Sequence, residues 1–196
     1  VARMAKHFGV ASTVFVPQVM LKETQRRIAA EGPEVVRVNG DYDQAVRAAA
    51  DYTDGGVDRA LVQDTAWEGY TEVPRWVIDG YSTIFAEVDE QLGGDAPDVV
   101  VAQMGVGALT AAVADHYAAT SAIVAVEPIS AACGLRSAEA GHPVEVPGPH
   151  DSIMAGLNCG NVSILAWPTV VAGVDVFVAI DDAAAERAMR DLAAVG

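Results

Sequence analysis

An apolar run that ends in a glycine-rich turn is the feature that most constrains the fold. Residues 99–103 predict a buried β-strand, and residues 108–119 predict the helix that follows it. The turn between them is Gly105-Val106-Gly107-Ala108. Small residues at a helix N-terminus leave several backbone N–H groups open to a ligand, and together with the helix dipole these favour a phosphate. The same pattern is typical of a plain strand-to-helix connection, so the turn alone leaves both interpretations open.

Predicted strands and helices alternate along most of the chain. Short apolar, β-branched runs predict strands at 12–16, 35–38, 59–63, 99–103, 122–126 and 174–180. The segments between them predict helices, including 19–31, 74–92 and one that starts after Asp41, with Gln44 at the capping-box position. Strands separated by helices of this length are typical of parallel βαβ units, and strongly apolar strands fit a sheet covered on both faces. We therefore expect an α/β fold with a parallel sheet in a three-layer αβα arrangement.

Charge and hydropathy exclude several classes of partner. The 196 residues carry 12 Lys and Arg against 27 Asp and Glu, a formal net charge of −15. Such a chain has no basic surface for nucleic acid or for an anionic membrane. Its apolar runs are too short to span a bilayer, and we expect no signal peptide. We expect a soluble cytoplasmic protein that binds neither nucleic acid nor membranes.

The segment at residues 63–70 (Gln-Asp-Thr-Ala-Trp-Glu-Gly-Tyr) concentrates chemically active side chains. It follows the predicted strand 59–63, and ligands of parallel sheets bind beyond the carboxyl ends of strands. A carboxylate between aromatic rings can act as a general acid or base, which makes Asp64 a candidate catalytic residue. In the alternative interpretation Asp64 caps a turn, while Trp67 and Tyr70 fill the core.

Other polar residues give weaker signals. A loop of small and polar residues at 151–160 could line a ligand or simply connect two elements. The four histidines lack the spacing of metal ligands, and Cys133 and Cys159 form no zinc motif, so we predict no metal site. The two cysteines could be separate buried thiols or could form a disulfide.

Five motifs, taken in order, resemble those of diaminopropionate ammonia-lyase, a pyridoxal-phosphate enzyme of fold type II (the tryptophan synthase β class). They are Gly-Asp-Tyr-Asp at 40–43, the segment at 63–70, the turn at 105–108, Val-Glu-Pro at 126–128 and Ile-Met-Ala-Gly-Leu-Asn-Cys-Gly at 153–160. The segments at 63–70 and 153–160 are specific, whereas the glycine turn is common to the fold type.

The resemblance implies an activity, a cofactor and a set of site residues. The reaction would be α,β-elimination of ammonia from 2,3-diaminopropionate, giving pyruvate and a second ammonia. Gly105, Val106, Gly107 and Ala108 would bind the phosphate of pyridoxal 5'-phosphate, Asp64 would lie at the active site, and Tyr42 would lie near the amino-acid substrate. The resemblance also implies a homodimer, and it strengthens the case for a disulfide between the cysteines.

The resemblance also indicates an internal portion of the enzyme, incomplete at both ends. The family's Schiff-base lysine would precede residue 1, and the serine at the pyridine nitrogen would follow residue 196. Lys6 and Lys22, the two lysines here, lie in no matching motif. Residues 1–62 would belong to the small domain, and residues 63–196 to the large cofactor-binding domain. Two alternatives stay open: a serine or threonine dehydratase on the same fold, and a non-catalytic remnant.

Overall fold

The computed structural model describes residues 1–56 and 58–195 and divides into two compact units, Val1–Val62 and Gln63–Gly196. Parallel sheets with flanking helices build both units, which confirms the α/β prediction. That the units are parts of the small and large domains of a fold type II enzyme stays a prediction. No helix in the described ranges is long and apolar enough to cross a membrane.

The first unit is built on a two-stranded parallel sheet. Its elements are α1 (Ala2–Phe8), β1 (Thr13–Pro17), α2 (Lys22–Ala30), β2 (Glu34–Val38) and α3 (Tyr42–Asp54). Parallel strands need a crossover connection, and α2 supplies it. The capping box predicted at the start of α3 is present: the Asp41 carboxylate accepts from Gln44 N at 2.9 Å, and the Gln44 side chain accepts from Asp41 N at 2.9 Å.

The second unit is built on a three-stranded parallel sheet. Its elements are α4 (Glu72–Gly80), α5 (Ser82–Gln91), β3 (Val99–Gln103), α6 (Ala108–Tyr117), β4 (Ala122–Pro128), α7 (Cys133–Ala140), α8 (Trp167–Gly173), β5 (Val176–Ile180) and α9 (Asp182–Val195). Short 3₁₀ turns occur at Ile129–Ala131 and Ala155–Leu157. The strand order is β3-β4-β5, so the central strand β4 has a parallel neighbour on each side.

The two faces of this sheet differ in burial. Ala102, Ile123 and Ala125 point to one face and are at most 3% exposed. Val99 and Val101 lie on the opposite face of β3 and are 52% and 67% exposed. One face of β3 and β4 is therefore deeply buried, whereas the opposite face of β3 is largely exposed.

Several sequence predictions differ from the structure. Residues 59–63 form no strand and pair with none of the strands of the described chain. The Arg59 side chain instead turns back to bind the Tyr52 carbonyl at 2.6 Å. The helix predicted over 74–92 begins at Glu72 and is interrupted at Tyr81, directly after Gly80. Helices α7 and α8 were not predicted, because both are short and lack a clear apolar period.

Candidate active site

The glycine turn lies where predicted, between the end of β3 and the first residue of α6. Gly107 has φ +97°, a conformation that side chains rarely adopt. A Cβ on Gly105 would lie 3.3 Å from Cys159 Sγ and 3.4 Å from the Gly156 carbonyl oxygen. The backbone conformation therefore favours glycine at position 107, and close packing against Gly156 and Cys159 leaves little room for a side chain at position 105.

The backbone groups of the turn are arranged as an anion site would need. The Val106 carbonyl accepts from Ser163 N, and the Gly107 carbonyl accepts from Ala111 N, both at 2.8 Å. By contrast, the N–H groups of residues 105–108 have no hydrogen-bond acceptor within the described ranges. These N–H groups stand at the N-terminus of α6, where the helix dipole favours negative charge.

The segment at 63–70 folds into a tight turn. Trp67 and Tyr70 exchange backbone hydrogen bonds of 3.3 and 2.9 Å, and their rings stack with centroids 4.7 Å apart. The Tyr70 hydroxyl accepts from Gln63 N at 3.2 Å, which closes the segment on itself. Asp64 is half-buried beside this turn, whereas Glu68 is exposed at its tip.

Asp64 acts electrostatically on two tyrosines. The pKa of Tyr70 is raised mainly by burial, and the negative charge of Asp64 raises it further. The pKa of Tyr81 is raised by burial and then by the same charge. Both phenols thus stay protonated at neutral pH. The carboxylate therefore lies in a partly desolvated setting, close to groups that can donate hydrogen bonds.

Ser163 contacts both the turn and the Asp64 segment. Its side-chain oxygen accepts from Ala66 N at 3.0 Å, while its own backbone N–H donates to the Val106 carbonyl. Ser163 is fully buried. No sequence motif pointed to it, because a lone serine ahead of an unpredicted helix carries no local signal.

The loop at 151–160 packs directly on the glycine turn, since Gly156 and Cys159 are the nearest neighbours of Gly105. Ser152 anchors the loop by donating to Asp182 at 2.6 Å. Cys133 approaches Gly105 as well, with its thiol donating to the Gly105 carbonyl at 3.6 Å. The disulfide is absent: Cys133 and Cys159 are both buried, reduced thiols. Of the two alternatives left open, the structure therefore has separate buried thiols, which pack on the same glycine without bonding to each other.

Glu127, in the Val-Glu-Pro motif at 126–128, is a fully buried carboxylate that was not predicted as a site residue. It lies one residue before the end of β4 and accepts from Gly134 N at 2.7 Å and Leu135 N at 2.8 Å, at the start of α7. Burial raises the pKa of Glu127, and the bonds from these two N–H groups partly oppose the rise. A carboxylate at the end of an apolar strand is the signal that could have identified it.

Tyr42 lies in the first unit, as the half-buried first residue of α3. Lys6 and Lys22 are exposed. In the ranges 1–56 and 58–195, no three histidine, cysteine or acidic side chains converge as metal ligands would.

A profile of the family described as "Pyridoxal-phosphate dependent enzyme" matches residues 1–196, the whole chain. The chain belongs to this family. Its fold is accordingly that of fold type II pyridoxal-phosphate enzymes, and its cofactor is pyridoxal 5'-phosphate.

Several individual proteins and solved structures are similar to this chain. Diaminopropionate ammonia-lyase of Salmonella typhimurium is 35% identical over 99% of this chain and 50% of its own length. The biosynthetic L-threonine dehydratase of Mycobacterium leprae is 31% identical over 98% of this chain and 44% of its own. The Escherichia coli diaminopropionate ammonia-lyase, solved with an aminoacrylate–pyridoxal-phosphate azomethine intermediate, superposes with a TM-score of 0.86 at 32% identity, covering 94% of this chain and 48% of that one. The chain thus spans about half the length of the curated relatives it matches.

The glycine turn fits the phosphate of the pyridoxal-phosphate family. The site offers N–H groups at a helix N-terminus. A Cβ on Gly105 would crowd Cys159 and Gly156, which pack against the turn. Residues 105–108 would bind the phosphate through their backbone, without a basic side chain. The predicted assignment of these four residues to the cofactor therefore stays consistent with the geometry, and remains a prediction.

Proposed function

We propose that the intact protein is a pyridoxal-phosphate-dependent ammonia-lyase that eliminates ammonia from 2,3-diaminopropionate. The support is twofold. The chain is 35% identical to a diaminopropionate ammonia-lyase across almost its whole length. In addition, Asp64 lies in a segment that Ser163 connects to the glycine turn by hydrogen bonds. This connection is the observation that carries the proposal, because it joins a carboxylate for the substrate to a site for the cofactor.

The proposal assigns a role to each group of residues. Residues 105–108 bind the cofactor phosphate, and pyridoxal phosphate supplies the electron sink for charge that develops at the substrate Cα. Asp64 attracts the ammonium group on the substrate Cβ, or moves a proton there or at Cα as the amine leaves. Tyr42 contacts the amino-acid substrate. Hydrolysis of the eliminated product then gives pyruvate and a second ammonia.

The decisive assay measures both products. The intact protein, supplied with pyridoxal phosphate and 2,3-diaminopropionate, should release two molecules of ammonia for each pyruvate. Separate assays with the D and L forms would identify the enantiomer used. Absence of pyruvate from both forms would overturn the proposed substrate.

A second candidate is dehydration of serine or threonine. The 31% identity to an L-threonine dehydratase favours it, although the match to the ammonia-lyase is closer. Threonine would give 2-oxobutyrate and one ammonia, whereas diaminopropionate would give pyruvate. Comparing kcat/KM for the two substrates decides between the candidates.

We further propose that the protein acts as a cytoplasmic homodimer, as the resemblance implies. Light scattering on the intact protein tests the dimer. The alternative that the protein is a non-catalytic remnant is tested by mass spectrometry of the polypeptide after borohydride reduction with pyridoxal phosphate. A polypeptide well above the 20.3 kDa of this chain, with the cofactor fixed to a lysine, supports the enzyme. An unmodified mass near 20.3 kDa supports the remnant instead.

A further inference from the structure

Every backbone and side-chain polar group of Ser163 is used to connect neighbouring segments. The hydroxyl oxygen accepts from Ala66 N at 3.0 Å, and the backbone N–H donates to the Val106 carbonyl at 2.8 Å. The carbonyl of Ser163 accepts from Ala166 N at 3.1 Å and from Trp167 N at 3.0 Å, at the start of α8. Three parts of the second unit therefore meet at one fully buried residue.

We propose that Ser163 is a positioning residue that fixes the Asp64 segment against the glycine turn. The inference rests on the proposed function, since it concerns how the carboxylate and the cofactor site are held together. Ser163 touches neither substrate nor cofactor in this proposal and acts only through Ala66 and Val106.

The two connections made by Ser163 differ in what a substitution can remove. The bond to Val106 uses the backbone N–H and survives any change of side chain. The bond to Ala66 uses the hydroxyl and is lost when Ser163 becomes alanine. Ala66 is 3% exposed, so its N–H would then be left without an acceptor in a buried place.

Loss of this hydroxyl should therefore loosen one segment and spare the other. The Asp64 segment then loses its bond to the Ser163 hydroxyl and keeps the longer 3.4 Å bond from Ile164 N to the Ala66 carbonyl. The glycine turn keeps its bond from Ser163 N. Turnover, which needs Asp64 in place, should fall, while affinity for the cofactor should not.

Ser137 on α7 offers a matched control. It too is fully buried, and its hydroxyl accepts from a backbone N–H, that of Val144, at 3.0 Å. Ser137→Ala removes a hydroxyl of the same kind, whose hydrogen-bond partner, Val144 N, belongs neither to the Asp64 segment nor to the glycine turn. It reports what the loss of a buried serine hydrogen bond does through stability alone.

The experiment compares intact wild-type protein with Ser163→Ala and Ser137→Ala. We expect kcat to fall roughly tenfold in Ser163→Ala, with the dissociation constant of pyridoxal phosphate changed less than about twofold. We expect Ser137→Ala to retain wild-type kcat, although it should lower the melting temperature by about as much as Ser163→Ala does. Retention of kcat in Ser163→Ala, or an equal loss of kcat in Ser137→Ala, would overturn the proposal.

Ser163→Cys covers the case in which the alanine variant does not fold. A thiol is somewhat larger than the hydroxyl, so it leaves no cavity, but it is a weak acceptor, so kcat should again fall while cofactor affinity is unchanged. Wild-type kcat in this variant would contradict the proposed role.

Hydrogen–deuterium exchange separates this proposal from the proposed function. In the serine-to-alanine or serine-to-cysteine variant, amides of residues 64–70 should exchange about tenfold faster, and those of 104–108 at the wild-type rate. If wild-type protein releases no pyruvate but this exchange pattern is found, the proposed function fails and the positioning role stands. Unchanged exchange at 64–70 overturns the positioning role whatever the activity.

Discussion

Asp64 and Glu68 are two carboxylates of one short segment that the structure places in different surroundings. Asp64 is half-buried and its charge reaches Tyr70 and Tyr81, whereas Glu68 is exposed. We predict that Asp64→Asn lowers kcat about 100-fold or more, the range of a lost acid–base group, with little loss of stability. Glu68→Gln removes a neighbouring charge and should leave kcat unchanged. Pyruvate release measures both, and wild-type turnover in Asp64→Asn would exclude the assigned role.

Gly107 adopts a backbone conformation that alanine tolerates poorly. Its φ is +97°, and an added Cβ would lie 3.4 Å from Met104 Cε. Gly107→Ala should cost about 1–2 kcal/mol of stability and redirect the N–H groups at the start of α6. We predict roughly tenfold weaker binding of pyridoxal phosphate, measured by fluorescence titration.

The control for Gly107 is Gly141, which has φ +74° with open space around it at the end of α7. Gly141→Ala imposes similar backbone strain far along the chain from the turn. Stability should fall, but cofactor affinity should stay at the wild-type value. Equal loss of affinity in both variants would show that strain alone, and not the turn, governs binding.

Glu127 should make stability depend on pH. Its pKa is raised by burial above the ordinary 4.5, so the folded state holds its proton more tightly than the unfolded state does. Stability from this group is present below pH 4.5 and is lost as the pH rises through the raised value. The melting temperature of wild type should therefore fall relative to Glu127→Gln between pH 4 and pH 7. A relative rise over that range would contradict the assignment.

At the scale of elements, the capping box fixes where α3 begins and thus the position of Tyr42. Asp41→Ala removes the acceptor for Gln44 N and should lower the free energy of unfolding by about 1 kcal/mol. Asp41→Asn keeps a side-chain oxygen at the cap and should be close to wild type. Thermal unfolding of both variants checks the prediction, and equal losses would show that charge rather than capping matters.

Elements with strong local signals were predictable, and those that depend on neighbours were not. The capping box of α3 and the apolar run of β3 both lie within two residues of their predicted start. Residues 59–63 have strand composition, but a strand also needs a partner, which local sequence does not reveal. The break at Tyr81 follows a glycine whose low helix propensity was outweighed in the prediction by the apolar residues around it.

The site shows the same division. The glycine turn could be predicted from local composition, because small residues between a strand and a helix have local consequences. Ser163 could not, since it is 97 residues from Ala66 and the bond between them depends on tertiary packing. Tyr42 rests on the resemblance alone and stays a prediction, and the resemblance left the state of the two cysteines open.

At the scale of the whole molecule, β3 presents an apolar edge strand. Val99 and Val101 are 52% and 67% exposed on one face of it. Exposed edge strands promote association, and lysine there opposes it. We predict that the 196-residue chain self-associates and that Val101→Lys lowers its aggregated fraction in sedimentation.

Leu192→Lys provides the control for this surface. Leu192 is 70% exposed on α9, so the substitution adds the same charge away from the sheet. It should leave aggregation near the wild-type level. If both lysine substitutions lowered the aggregated fraction equally, net charge and not the exposed strand would account for the change in association.

The two thiols packed on Gly105 allow the opening of the turn to be followed chemically, through the rate at which they are alkylated. Cys133 is inaccessible, and burial together with the charge of Glu127 raises its pKa and suppresses its thiolate. An alkylating reagent can reach it only in the rare moments when the surrounding backbone opens. The rate of alkylation therefore reports how often the turn opens. Phosphate bound in the turn should lower this rate.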